Sequence, residues 1–146
     1  MIEVIEMGLE HLDRVCEIEN KSFSMPWKRK DFEELIESED SEYFVLLEDG
    51  FVVGVAGYTN QVMEGYINNV AVDEAFRGKG LSKYLLKALI KAGEKKGIYD
   101  FTLEVRVSNI RAIKLYEGFG FENYGIRKNF YEHPREDAYV YWRKRA

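Results

Sequence analysis

The chain has 146 residues, 46% of them hydrophobic and 14% aromatic, which is enough for one domain over residues 1–146 with a sizeable core. Its formal net charge of −5 argues against a general nucleic-acid binder, which carries a basic surplus. The single cysteine, Cys16, excludes an internal disulfide and a cysteine-rich metal site.

The opening MIEVIEMGLE has acids where a secretory leader has basic residues, and no apolar run approaches the ~20 residues that span a bilayer. A soluble, cytoplasmic protein without a membrane partner is expected. Ile2, Val4 and Ile5 begin a short strand. Leu9 to Lys21 reads as a helix, with Leu12, Val15, Cys16 and Ile18 among its apolar positions. The loop Ser22-Phe23-Ser24-Met25-Pro26-Trp27 follows, where Pro26 biases Met25 away from helix. Lys28 to Glu37 reads as a second helix presenting Phe32, Leu35 and Ile36. Tyr43 to Glu48 and Phe51 to Thr59 are expected strands, joined by an Asp49-Gly50 hairpin signal. Tyr66 to Val72 is the next strand.

That strand runs into VAVDEAFRGKGLS, residues 70–82. A glycine-rich turn feeding a helix N-terminus points several backbone N–H groups one way, an arrangement suited to a phosphate or pyrophosphate. The same residues also suit a plain strand-to-helix turn in which glycine supplies positive φ. Leu81 to Lys96 is the clearest helix, with Leu81, Tyr84, Leu85, Ala88, Leu89 and Ala92 on the expected apolar face. Lys83, Lys87, Lys91 and Lys95 form a stripe that reads as a solvated face, with Lys83 close enough to the turn to reach an anion. Phe101 to Val107 alternates, sending Phe101, Leu103 and Val105 to one face and Thr102, Glu104 and Arg106 to the other. Ser108 or Asn109 caps a helix to about Glu117, and Phe121 to Tyr131 with Glu136 to Arg143 forms a closing hairpin. The order β-α-α-β-β-β-α-β-α-β-β is a mixed α/β pattern on a single sheet.

Few residues offer chemistry. His11 and His133 are far apart in the chain, with no clustered ligand set, so no metal is expected. His11 and Cys16 lie about 140° apart around one helix, which does not suit a Cys–His pair. Cys16 reads as a small buried apolar residue. Two side chains remain. Glu104 sits mid-strand among apolar neighbours, where a carboxylate is disfavoured unless partnered or used. Tyr116 shares a face with Asn109, Ala112 and Ile113, because seven residues are nearly two helical turns. Pattern alone leaves both open: Glu104 can pair with an arginine on the sheet, and Tyr116 can be a core aromatic.

VAVDEAFRGKGLSKYLLKAL and LEVRVSNIRAIKLYEGFGF resemble the two core motifs of the GNAT superfamily of N-acetyltransferases. Within it the chain is most similar to the ribosomal-protein alanine N-acetyltransferases, the RimI group. SMPW and RKNFYEHPREDA resemble that group's substrate-side loops. The resemblance implies the GNAT fold, a single mixed sheet of about seven strands flanked by about four helices. It implies an acetyl-CoA-dependent transferase acting on a protein N-terminus, the alanine of a small-subunit ribosomal protein. The family pattern (Q/R)-x-x-G-x-(G/A) falls on Arg77, Gly80 and Ser82, with Ser82 departing from Gly or Ala. By this mapping the stretch Gly78, Lys79, Gly80, Leu81, Ser82 and Lys83 holds the pyrophosphate. Backbone groups of Val70, Ala71 and Val72 pair with the pantetheine arm, and Asn109 contacts the cofactor. Glu104 matches the general base and Tyr116 the general acid.

Phe23, Trp27, Phe130 and Tyr131 are expected to flank the first residues of the acceptor, although Trp27 can equally anchor the second helix. Phe130-Tyr131 stands where the group commonly has Tyr-Tyr. Glu136 and Asp137 are expected to hold the closing loop through Arg127 or Arg135. The rival readings are a lysine or small-molecule amine acceptor, and a non-catalytic acetyl-CoA-binding module, which the presence of both Glu104 and Tyr116 disfavours. The oligomeric state is left open by the sequence.

Overall fold

A computed structural model describes residues 1–145. The elements are β1 (Ile2–Glu6), α1 (Leu12–Ser22), α2 (Arg29–Glu37), β2 (Ser41–Glu48), β3 (Phe51–Gln61), β4 (Glu64–Val72), α3 (Ser82–Lys95), β5 (Asp100–Arg106), α4 (Ile110–Gly118), β6 (Glu122–Tyr131) and β7 (Glu136–Arg143). Their order is the one expected, with single 3₁₀ turns added at Leu9–His11 and Glu74–Phe76. The first of these delays α1 by three residues. There the Gly8 amide donates to His11 Nδ1 at 2.8 Å.

One seven-stranded sheet runs β1-β2-β3-β4-β5-β7-β6. Every neighbouring pair is antiparallel except β4 and β5. The helices cover both faces. Leu12, Val15, Ile18 and Phe32 from α1 and α2 pack on Tyr43, Val45, Val55 and Ala71. Leu85, Leu86, Leu89 and Ile90 of α3, with Tyr116 of α4, pack on Phe44, Leu46, Ala56 and Val72. Double coverage explains why β2 and β3 are nearly continuous apolar runs rather than alternating ones. The buried face of α3 is rotated from the expected one: Leu86 and Ile90 point inward, and Tyr84 is 52% exposed.

Turn chemistry agrees with the sequence at one hairpin and not at the next. Asp49 and Gly50 both have positive φ (50° and 83°), as a two-residue hairpin turn requires. Between β3 and β4 the same geometry falls on Val62 (φ 53°) and Met63 (φ 67°), residue types that give no turn signal. Asn60 supports this turn by accepting from the Met63 amide at 2.9 Å. The two strands therefore run on to Gln61 and from Glu64, beyond the expected Thr59 and Tyr66.

The feature that makes a site is a divergence in the sheet. β4 and β5 pair only at Glu64–Asp100, Gly65–Phe101 and Tyr66–Thr102. On its other edge β4 stays paired with β3, but Gly57 faces Asn69 and Tyr58 faces Ile67, so Asn68 is an extra residue in the ladder. Such a bulge bends its strand and increases twist. β5 meanwhile follows β7, paired from Phe101–Arg143 to Arg106–Ala138. The two strands part, and β4 from Ile67 onward keeps a free edge. No helix among the described residues is long and apolar enough to cross a membrane.

Candidate active site

The parting strands frame a cleft of about 720 Å³. Tyr66 to Val70 of β4 form one wall and Leu103 to Arg106 of β5 the other. Ala112 and Tyr116 of α4 and its cap Asn109 close it on one side, Trp27 closes it from the loop before α2, and Phe130 to Pro134 close it from the end of β6 and the turn after it. Of the residues expected to act, Glu104, Tyr116, Asn109, Val70, Trp27, Phe130 and Tyr131 thus share one cavity.

Glu104 reaches the cleft because alternation along β5 commits Phe101, Leu103 and Val105 to the core under α3. Its side chain is 8% exposed, and Arg127 Nε of β6 lies 3.4 Å from Oε2. The Tyr66 hydroxyl donates to Oε1. The buried carboxylate is therefore partnered on both oxygens, by a phenol and a guanidinium. Burial first, and then the bond to Glu104, pushes the Tyr66 phenol well above its ordinary pKa. Glu104 thus pairs with an arginine on the sheet, and it also lines the cleft.

Tyr116 is placed by the cap of its helix. The Asn109 Oδ1 accepts from the Ala112 amide at 3.2 Å and starts α4. Two turns on, Tyr116 is 7% exposed, with its ring 5.7 Å from that of Phe121. Burial, with Tyr131 nearby, raises its phenol pKa far above neutrality.

The free edge of β4 continues past the cleft. The Asp73 amide donates to the Val53 carbonyl at 2.8 Å, which fixes the alternation of the strand. Ala71 therefore turns its N–H and C=O to β3, and only Val70 and Val72 turn theirs to the open side. Arg77 takes one of these groups, since its Nε donates to the Val72 carbonyl at 2.9 Å, while Nη2 reaches Ser22 Oγ at 3.2 Å. Beyond it, Gly78 (φ 83°) and Gly80 (φ 72°) turn the chain into α3 with open space about each Cα. Leu81 is buried in the core and offers only backbone here. The Lys83 amide leans back on the Gly80 carbonyl at 3.4 Å. Ala71, Val72 and the stretch from Arg77 to Lys83 do not line the cavity around Glu104. Val72 continues the open edge beyond the cavity, and the turn from Arg77 carries it to the N-terminus of α3.

The loops also differ from expectation. Trp27 lines the cleft and also anchors α2, 5.7 Å from the Phe32 ring and 6.3 Å from Tyr43. Phe130 and Tyr131 meet edge to face at 5.0 Å, and the Arg106 guanidinium lies 4.2 Å over the Tyr131 ring. Burial, then Glu104, raises the Tyr131 phenol to about 12. The closing loop is not held through Arg127 or Arg135. Glu136 instead accepts from Arg106 at 3.2 Å and from the Ser108 amide at 2.8 Å, and Asp137 accepts from the Asn129 amide at 2.8 Å. Arg127 is on Glu104 instead, because the register of β6 on β7 brings it there.

Sequence reasoning missed Tyr66, Arg106 and a buried trio, Glu19, Asn69 and Tyr43. Glu19 had a readable signal. It lies on the apolar stripe Leu12, Val15, Glu19, the same misplaced-carboxylate cue that singled out Glu104.

Comparison with known proteins decides the family. Residues 12–121 match the acetyltransferase (GNAT) family. The chain belongs to that family. Over 145 residues it is 36% identical to the ribosomal protein bS18-alanine N-acetyltransferase of Haemophilus ducreyi, covering 96% of this chain and 97% of that one. Over 127 residues it is 37% identical to the protein of the same name from Escherichia coli K12, covering 84% of each. The crystal structure of the Escherichia coli ribosomal-protein alanine N-acetyltransferase superposes with a TM-score of 0.89 at 33% identity, over 100% of this chain and 96% of that one. As a GNAT protein the chain is an acetyl-CoA-dependent N-acetyltransferase. The residues present fit that co-substrate: an unpaired strand edge for an extended amide arm, and an open glycine turn at a helix N-terminus for a pyrophosphate.

Proposed function

We propose that this enzyme acetylates the α-amine of a protein N-terminus, with the alanine of ribosomal protein bS18 as acceptor, by direct transfer. Two relatives that match most of the chain carry that activity in their names. The observation that carries the mechanism is Glu104, a buried carboxylate held by Tyr66 and Arg127 in the same cleft as Tyr116.

Acetyl-CoA supplies the acetyl group as a thioester, whose carbon takes the amine and whose sulfur leaves. Val70 offers both its backbone groups and Val72 its amide to the extended arm, and Gly78 to Ser82 offer amides to its pyrophosphate, with Lys83 beside them. Glu104 takes the proton that the amine sheds as the N–C bond forms. Tyr66 and Arg127 hold that carboxylate in place from both of its oxygens. Tyr116, protonated near neutral pH as an ordinary phenol is and kept so by burial, gives its proton to the sulfur as the C–S bond breaks. No side chain is acylated, so no activated cysteine is required. The half-buried Cys16 thiol is in fact pushed up by burial, away from thiolate.

An α-amine has a pKa of about 7.7–8.0 and a lysine amine about 10.4, so near neutral pH the α-amine is free far more often. A single carboxylate suffices for the first and serves the second poorly. The test is mass spectrometry of peptides beginning Ala-Arg beside blocked peptides that offer only lysine. Acetylation confined to the terminal amine is expected, with kcat/KM rising to about pH 8 and levelling. Preferential acetylation of lysine, with kcat/KM still rising toward about pH 10, would overturn the assignment.

A further inference from the structure

Glu19 is 1% exposed, among the least exposed residues of the protein, and it is a carboxylate. Among the described residues no salt bridge reaches it. Such burial without a cation is costly, and an apolar side chain at this helix position would cost less. What Glu19 has instead is a chain of hydrogen bonds. The Trp27 amide donates to Oε1 at 3.1 Å. Asn69 Nδ2 donates to Oε1 at 3.0 Å and to Oε2 at 3.1 Å. The Tyr43 hydroxyl donates to Asn69 Oδ1 at 2.7 Å.

These bonds add a polar tie between the Trp27 segment and β4, beyond the packing of Trp27 on Phe32 and Tyr43. Trp27 is in the irregular segment between α1 and α2 that walls the cleft. Asn69 follows the bulge residue Asn68 and precedes Val70, on the free edge of β4. Tyr43 lies on β2, two strands away. Glu19 and Asn69 both line the cleft. Burial pushes the Glu19 carboxyl upward, and the Trp27 and Asn69 bonds pull against it.

We propose that Glu19 is a positioning residue for the acceptor: through Asn69 and the Trp27 amide it fastens the Trp27 wall to the bulged edge of β4. It touches no reacting atom. It sets the distance between the wall that holds the incoming amine and the edge that holds the thioester. This rests on the reading that the Trp27 side of the cleft takes the acceptor.

The network suggests its own rescue. In Glu19→Gln one acceptor becomes an amide donor, opposed to Asn69 Nδ2. In Asn69→Asp two carboxylates face each other. In the double variant the bond between the two side chains returns with donor and acceptor exchanged, and the Trp27 and Tyr43 bonds keep their direction. The carboxamide on α1 accepts from the Trp27 amide and donates to the carboxylate on β4, and that carboxylate accepts from the Tyr43 hydroxyl. Each single variant is expected to raise the acceptor KM at least about five-fold, with the acetyl-CoA dissociation constant by calorimetry within about two-fold of wild type. Amide hydrogen exchange across residues 23–28 should quicken in both. The double variant should bring acceptor KM and exchange back to within about two-fold. A purely structural role would lower the folded yield without moving acceptor KM in the folded fraction. Wild-type acceptor KM and exchange in folded Glu19→Gln overturn the proposal. So does a double variant that fails to fold or stays as impaired as the singles. Should wild type fail to acetylate the peptide N-terminus, the acceptor reading falls, and exchange across 23–28 in the three variants still decides whether Glu19 anchors the wall.

Discussion

The two ends of the cleft edge are built from different materials. At the α3 end the groups proposed to bind are backbone: the free edge at Val70 and Val72, and the amides of the turn through Gly78 and Gly80. The side chains there look elsewhere, Leu81 and Val72 into the core and Arg77 back onto the Val72 carbonyl and Ser22. At the other end the groups proposed to act are side chains from separate elements: Tyr66 on β4, Glu104 on β5, Tyr116 on α4, Arg127 on β6 and Trp27 on a loop. A backbone site tolerates any residue that can adopt its φ and ψ. A side-chain site does not tolerate the exchange of one atom. Substitutions at the two ends should therefore fail in different ways.

The largest effect belongs to the side-chain end. Glu104→Gln keeps the shape and removes the proton acceptor, so kcat should fall by about 10²–10⁴ while acetyl-CoA affinity by calorimetry stays the same. Weakened acetyl-CoA binding in this variant would show that the two ends are not separate. Tyr116→Phe follows, with kcat down about 10²-fold at the lower end of the same range. Because burial keeps that phenol protonated, wild-type kcat should show no fall on the alkaline side up to about pH 10, the ordinary tyrosine pKa. A decline near the α-amine range of about pH 8 would assign the proton to another group.

The same division explains what could be read in advance. The backbone end leaves a local signature, because a positive-φ turn between a strand and a helix needs glycines at fixed spacing. Alternation along β5 and the seven-residue step from Asn109 to Tyr116 are also local, and they put Glu104 and Tyr116 on the correct faces. The partners of those residues were not legible. Tyr66 meets Glu104 only because β4 and β5 stay in register as far as Tyr66–Thr102 and then part at the Asn68 bulge. Arg127 meets Glu104 through the pairing of β6 on β7, and Glu19 meets Asn69 across fifty positions of sequence. Register of that kind follows from the packed sheet and not from any short window. Val62 and Met63 were missed for the opposite reason. The tertiary hairpin forces positive φ on residues that avoid it.

At the backbone end, Gly80→Ala isolates conformation from contact. Nothing lies within 4 Å of the position a Cβ would take, so no clash is introduced. The φ of 72° remains, and an L residue there costs about 1–2 kcal/mol. Denaturant unfolding should show a loss of about 1 kcal/mol, and acetyl-CoA KM should rise several-fold with kcat unchanged. An equal fall in kcat and kcat/KM would mean that the turn acts in the chemical step, and the contrast between the ends would weaken.

The smallest effect is the sharpest test. Ser82 stands where the family pattern has Gly or Ala, and it is the first residue of α3. If this end works through backbone alone, Ser82→Gly keeps the amide and removes only a hydroxymethyl group. Acetyl-CoA affinity should then stay within about two-fold of wild type. Stability should fall by no more than about 0.5–1 kcal/mol, the cost of glycine's freedom in the unfolded chain, and less at a first turn than mid-helix. Calorimetry and urea unfolding separate the two quantities. A loss of affinity beyond about three-fold with stability intact would give the hydroxyl a part in holding the phosphates. The departure from Gly or Ala would then be a side-chain contribution at the end otherwise built from backbone.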